Sequence, residues 1–113
     1  MYQPRILTCW IEGMNYKLMN EKSIEDYLRD KVKAIGGKAY KFVSPGNAGV
    51  PDRLVCLPGG QAIFVELKAS GKKPTALQTL QQRKISSLGF EVLNIDSKTG
   101  VDEFIFRFNK GIA

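Results

Sequence analysis

A chain of 113 residues with 43% hydrophobic and 25% charged side chains is ordinary globular material, enough for one domain around one core and too short for two. Seventeen basic against eleven acidic residues give a net charge of +6 and a pI near 9.4, which suits a polyanionic partner or, equally, a merely solvated basic surface. No histidine is present, which excludes chemistry that needs one as base, nucleophile or metal ligand and leaves carboxylates, lysine and water.

Residues 1–19 read differently from the rest, with Tyr2, Trp10 and Tyr16 around a short strand pattern at Ile6 to Ile11, and internal methionines at Met14 and Met19. They form an arm packing on the domain or on a second subunit, or an upstream extension without a role. The domain proper is expected over residues 20–113. A helix is predicted from Asn20 or Ser23 to Ile35, with Ile24, Leu28, Val32 and Ile35 as its apolar stripe and Gly36-Gly37 as its stop. Glu25 sits beside that stripe, where an exposed pair with Arg29 is worth only ~0.3–0.5 kcal/mol. Residues Ala39 to Ser44 read as a strand, and Pro45 to Pro51 as a loop whose two glycines form a plain turn or let backbone approach a ligand.

The most informative stretch follows, Gly49 to Lys68. Arg53 to Leu57 is a short strand, Pro58-Gly59-Gly60-Gln61 supplies turn residues, and Ala62 to Lys68 is rich in the branched and aromatic residues that favour a second strand. Its period of two puts Glu66 and Lys68 on one face and Ile63, Val65 and Leu67 on the other. Pairing Leu57 with Ala62 sets Asp52 opposite Leu67, diagonal to Glu66 and Lys68, and a slip of one residue still keeps Asp52 within reach. Two hard oxygen ligands and an ammonium around one point suit a divalent ion and an activated water, whereas a plain salt-bridge cluster would need all three charges only to hold a hairpin end.

Beyond the hairpin, Ser70-Gly71-Lys72-Lys73-Pro74 is a basic loop whose lysines contact phosphates or are simply solvated. Thr75 is a good N-cap for a helix to about Leu88 with Leu77, Leu80, Ile85 and Leu88 on one face, and Gly89 stops it. A strand over Phe90 to Ile95 precedes a last helix from Lys98 or Thr99 to about Phe108, although Phe104-Ile105-Phe106 also suits a strand. The order α-β-β-β-α-β-α predicts a single-domain α/β sandwich with a mixed sheet flanked by helices. Cys9 and Cys56 match neither a zinc spacing nor a disulfide framework. With no apolar run of membrane-spanning length and no signal-like amino terminus, a soluble cytoplasmic protein is expected.

Pro51-Asp52, a hairpin and then Glu66-Leu67-Lys68 resemble the PD-(D/E)XK nuclease superfamily. The surrounding text is more specific: Ser23-Ile24-Glu25, Gly49-Val50-Pro51-Asp52-Arg53, Val65-Glu66-Leu67-Lys68 and Pro74-Thr75-Ala76-Leu77-Gln78 together resemble the virus-type replication-repair nuclease domain, VRR-NUC, in its small stand-alone form, over roughly residues 20 to 108.

The resemblance implies a metal-dependent, structure-selective DNA endonuclease acting on four-way junctions or flaps, as a homodimer. Asp52, Glu66 and the backbone carbonyl of Leu67 would hold Mg²⁺ or Mn²⁺, and Glu25, or Glu21 one turn earlier, would reach it through water. Lys68 would bind the attacking water, and Gln78, with Gln81 and Gln82 as neighbouring alternatives, would position Lys68 or that water. Arg53, Lys72 and Lys73 are the candidates for contact with nucleic acid. Two rivals stand beside this reading: a non-catalytic DNA-binding or scaffold module on the same fold, and a nuclease directed at RNA, since the chemistry at phosphorus is shared.

Overall fold

The computed structural model describes residues 20–112, so the strand pattern at residues 6–11 lies outside the described residues. Helix α1 (Glu21–Ala34) begins where the Asn20 side chain accepts from the Ser23 amide at 2.8 Å and buries Ile24, Leu28 and Val32. Strand β1 (Lys38–Lys41) is shorter than the sequence suggests. Beyond it only the Phe42 amide continues the ladder, donating to the Asp52 carbonyl at 2.9 Å, and Val43 turns out to solvent.

Strands β2 (Arg53–Leu57) and β3 (Gln61–Leu67) form the predicted hairpin, with Leu57 opposite Gln61 and Arg53 opposite Val65. The expected pairing of Leu57 with Ala62 is therefore off by one. Gly59 and Gly60 both take positive φ, near +91° and +83°, and the Gly60 amide closes onto the Leu57 carbonyl, so three residues complete the turn instead of four. Continued by one step, this register sets Asp52 against Glu66 itself.

Helix α2 (Ala76–Ser87) is the crossover between β3 and the parallel strand β4 (Glu91–Ile95), and α3 (Lys98–Ile112) closes the fold as a helix through the Phe104-Ile105-Phe106 stretch. The sheet order is β1-β2-β3-β4, mixed as expected. Odd positions of the hairpin, Val55, Leu57, Ile63, Val65 and Leu67, meet Ile24, Leu28, Val32, Val101 and Phe104 in one core between the sheet and α1 with α3. Burial of such side chains is the main driving force, each worth roughly 1.5–3 kcal/mol against exposure.

The opposite sheet face is covered differently. Helix α2 buries none of its residues, and Leu77, Leu80 and Leu88 are 47%, 47% and 75% exposed. Of the apolar face read from the sequence, the three leucines thus point away from the sheet, while Ile85 is half-buried on the side of Gln78, Gln81 and Gln82. The helix turns its glutamines inward: Gln81 donates to the Ala48 carbonyl at 3.2 Å, and Gln82 and Asn94 exchange two amide hydrogen bonds of 2.8 and 3.0 Å. Polar partners on that face, Glu66 above all, decide the rotation of α2. Among the described residues, no helix is long and apolar enough to cross a membrane.

Candidate active site

The start of β2, the end of β3 and the amino-terminal ends of α1 and α2 converge at one end of the sheet. Pro51 is fully buried and delivers Asp52 into this end. One Asp52 carboxylate oxygen, Oδ1, accepts from the Leu67 amide at 3.1 Å, standing in for the strand partner that β2 no longer supplies. The Lys68 amide donates the other way, to the Ile95 carbonyl of β4 at 3.0 Å. In a trans peptide the carbonyl opposes the amide hydrogen, so the Leu67 carbonyl points away from β4 toward the side occupied by Asp52.

Glu66 is the most constrained group of the site, only 3% exposed although it is a carboxylate. Its Oε2 accepts from the Gln78 amide nitrogen Nε2 at 2.9 Å and lies 3.5 Å from the Lys68 ammonium. Its Oε1 is buried with no hydrogen-bond partner. Burial, and next the neighbouring charge of Asp52, push the Glu66 carboxyl up to about 7, against the pull of Lys68. Burial raises Asp52 above its ordinary value too, opposed by the Leu67 amide. The sequence-predicted trio of Asp52, Glu66 and Lys68 thus comes together.

Gln78 is tied at both ends. Its side-chain oxygen accepts from the Thr75 amide at 2.9 Å and its backbone amide donates to the Thr75 hydroxyl at 3.1 Å, a reciprocal capping box. The remaining amide hydrogens reach Glu66, so Gln78 couples the first turn of α2 to β3. Upstream, Gly49 has φ near +93°, and a Cβ there would stand 2.9 Å from Leu77 Cγ, so the loop into Asp52 packs directly against α2.

Arg53 departs from its expected role. It is 7% exposed, with its guanidinium bound to the Glu25 carboxylate and to the Ala39 carbonyl at 3.0 Å, so it is not available to a phosphate. Position 53 belongs to the odd, core-facing set of β2, a signal present in the alternation itself. Glu25 is held by Arg53 instead of pairing with Arg29, and that contact, assisted by Lys41 and Lys22, depresses its carboxyl. Glu21, one turn earlier and exposed, is the α1 acid whose charge reaches both Asp52 and Glu66. Lys72 and Lys73 are exposed on the loop just after Lys68, which is pinned where the Gly71 amide donates to an Asp96 carboxylate oxygen at 3.1 Å.

No family model matches the chain. A curated phage protein, "Putative nuclease p44" of Acyrthosiphon pisum secondary endosymbiont phage 1, is 54% identical over 82 residues, covering 73% of this chain and 88% of its own length. A solved VRR-NUC domain superposes with a TM-score of 0.74 at 31% identity, covering 80% of this chain and 98% of that one. The chain belongs to the VRR-NUC family. The four-stranded mixed sheet and three helices of the described residues are the VRR-NUC fold.

A VRR-NUC nuclease fold implies a divalent cation, and the site can be tested against one. Among the described residues, no group of three or more acidic or cysteine side chains is assembled as a complete metal site. Two carboxylates, Asp52 and Glu66, nevertheless repel each other here, and Glu66 Oε1 lacks a partner in a buried position. A buried acceptor without a donor beside a second acid fits an oxygen-coordinated cation, whose shell phosphate and water oxygens would complete.

Proposed function

We propose that this protein is a divalent-metal-dependent endonuclease that hydrolyses phosphodiesters in branched DNA, four-way junctions or flaps, and works as a homodimer. The observation that carries the reading is Glu66, buried beside Asp52 with one oxygen unpartnered and the other shared between Gln78 and Lys68. Asp52, Glu66 and the Leu67 carbonyl are the residues that would hold Mg²⁺ or Mn²⁺. A bound ion supplies Lewis-acid charge that lowers the pKa of a water and offsets charge on the phosphate.

The chain's own groups do the rest. Lys68 projects its ammonium beside Glu66, where it hydrogen-bonds the attacking water and stabilises the charge that develops on the phosphate. Gln78 fixes the Glu66 carboxylate and, through it, Lys68. An α1 acid orients water at the rim: Glu21 is open to solvent, whereas Glu25 acts there only if Arg53 releases it. Lys72 and Lys73 stand ready for phosphates on the adjoining loop.

Homodimer formation is supported by the outward leucine face of α2 together with Phe90, 47% exposed beside it. Two sites about a two-fold axis suit paired cuts in a symmetric junction. Leu80→Glu is expected to shift the mass in solution from dimer to monomer.

The functional test is cleavage of labelled junction, flap, linear duplex and matched RNA by the wild type and Asp52→Asn, with Mg²⁺ or Mn²⁺ and with chelator. Junction or flap cutting that needs the ion and disappears in the variant is expected. Equal cutting of linear duplex would remove the structure selectivity, preferred cutting of RNA would redirect the substrate, and DNA binding without cutting under any metal would favour the scaffold alternative.

A further inference from the structure

Outside the catalytic end, a charged concavity lies between α1 and the edge strand β1. It is a cleft of about 410 Å³ lined by Arg29, Asp30, Lys33, Gly37, Lys38 and Ala39. Three cations and one acid line it, with Arg29 also 3.4 Å from Asp26 and the Lys38 ammonium 5.4 Å from the centre of the Tyr40 ring. Lysines on an edge strand deter strand addition, and Lys33 in the last turn of α1 complements the helix dipole. Neither explanation requires both to converge with Arg29 on one cleft.

The position of the cleft relative to the site is set by the topology. Helix α1 starts at the catalytic end, where Glu21 and Glu25 act on Asp52, and runs away from it. Arg29 and Lys33 lie one and two turns past Glu25, roughly 6 and 12 Å along the axis. Strand β1 runs back: Lys38 pairs with Cys56 at the far end, and Lys41 pairs with Arg53, next to Asp52. The charge of Lys41, which pairs with core-facing Arg53, is felt by Glu25.

We propose that this α1–β1 cleft is a phosphate track for one duplex DNA arm leading away from the scissile phosphate, with Lys33 and Lys38 as its principal contacts. The proposal rests on the nuclease reading for the identity of the polyanion. It differs from the candidate loop of Lys72 and Lys73, which follows β3.

The test is equilibrium binding of the full chain to a labelled 20-base-pair duplex and to a four-way junction over a range of salt, in the absence of divalent ions. Lys33→Glu/Lys38→Glu is compared with Lys98→Glu/Arg107→Glu on exposed α3 positions, which changes net charge equally. The cleft pair is expected to weaken binding at least tenfold more than the control pair, and to reduce the slope of log affinity against log salt by about 2, near 0.9 for each phosphate that is no longer neutralised. Lys33→Gln/Lys38→Gln, which removes charge without reversing it, gives the same slope change if the reversal variant fails to fold. An unchanged slope, or equal loss in the control pair, overturns the track. Wild-type cleavage with Mn²⁺ is measured separately: binding through the cleft without cutting refutes the nuclease reading and leaves the track standing, whereas cutting with an undisturbed slope in the cleft variants refutes only the track.

Discussion

Gln78 on α2 donates its side-chain amide to Glu66 on β3 at 2.9 Å, while the same side chain closes the cap of its own helix on Thr75. Two links of different kind, helix stability and orientation of a buried carboxylate, therefore pass through one residue. Gln78→Ala removes half of the capping box, a loss of about 1 kcal/mol. It also leaves Glu66 with Lys68 as its one remaining side-chain partner. Chemical denaturation should show the small stability loss, and cleavage should fall by roughly 10–100-fold, more than that loss explains, because a misplaced positioning group costs rate steeply. Unchanged cleavage would mean that Glu66 is held well enough by the strand.

Glu66 makes stability depend on pH with a definite sign. Its carboxyl titrates near 7 in the folded chain and near 4.5 as a free group, so between these values the folded state holds a proton that the unfolded state has released. The associated stability is fully present below about pH 4.5 and is lost as pH rises through about 7. Glu66→Gln, which cannot ionise, should accordingly be more stable than wild type at pH 8 without divalent ions, by about 1–3 kcal/mol, with the advantage shrinking toward pH 5. Thermal melts of both proteins across that range check it.

The contribution of Asp52 to that shift can be isolated. Burial is the larger cause and the Asp52 charge the second, so Asp52→Asn should lower the Glu66 midpoint without returning it to the ordinary value. Carbon-detected NMR titration of the Glu66 carboxyl reads the midpoint directly. A midpoint that does not move would show the two acids to be electrically separate and would weaken the case for a shared cation.

The contact between Arg53 and Glu25 ties β2 to α1 in the interior, with side chains 8% and 19% exposed. Arg53→Met strands a carboxylate that still has some access to water, so a loss of about 2–3 kcal/mol is expected, below the full cost of breaking a sealed pair. Adding Glu25→Gln should recover part of it. A double-mutant cycle by denaturant melts gives the coupling, and additive losses would show the pair to be a bystander.

Gly49→Ala tests the approach of the entry loop to α2. A φ near +93° strains any side chain, and the new Cβ would press on Leu77. A loss of about 1–3 kcal/mol is expected. Since Leu77 precedes Gln78, the variant should also reduce cleavage, and a shifted Gln78–Glu66 hydrogen bond in its crystal structure would identify the route.

The sequence by itself determined the element order, the hairpin, the core stripe of α1, the cap at Thr75 and the clustering of Asp52, Glu66 and Lys68. These follow from local rules: alternation along a strand, a 3.6-residue period, and turn residues with few alternative conformations. Tertiary structure decided the rest. The hairpin register moved by one because Gly59 and Gly60 close a shorter turn than composition can specify. Arg53 went inward because its odd position faces α1, where Glu25 supplies the counter-charge. The α2 leucines turned outward because a buried glutamate on the sheet needed an amide donor more than the sheet face needed another leucine. Each outcome depends on what one element meets on another, and a one-dimensional pattern carries the faces of an element without naming their partners.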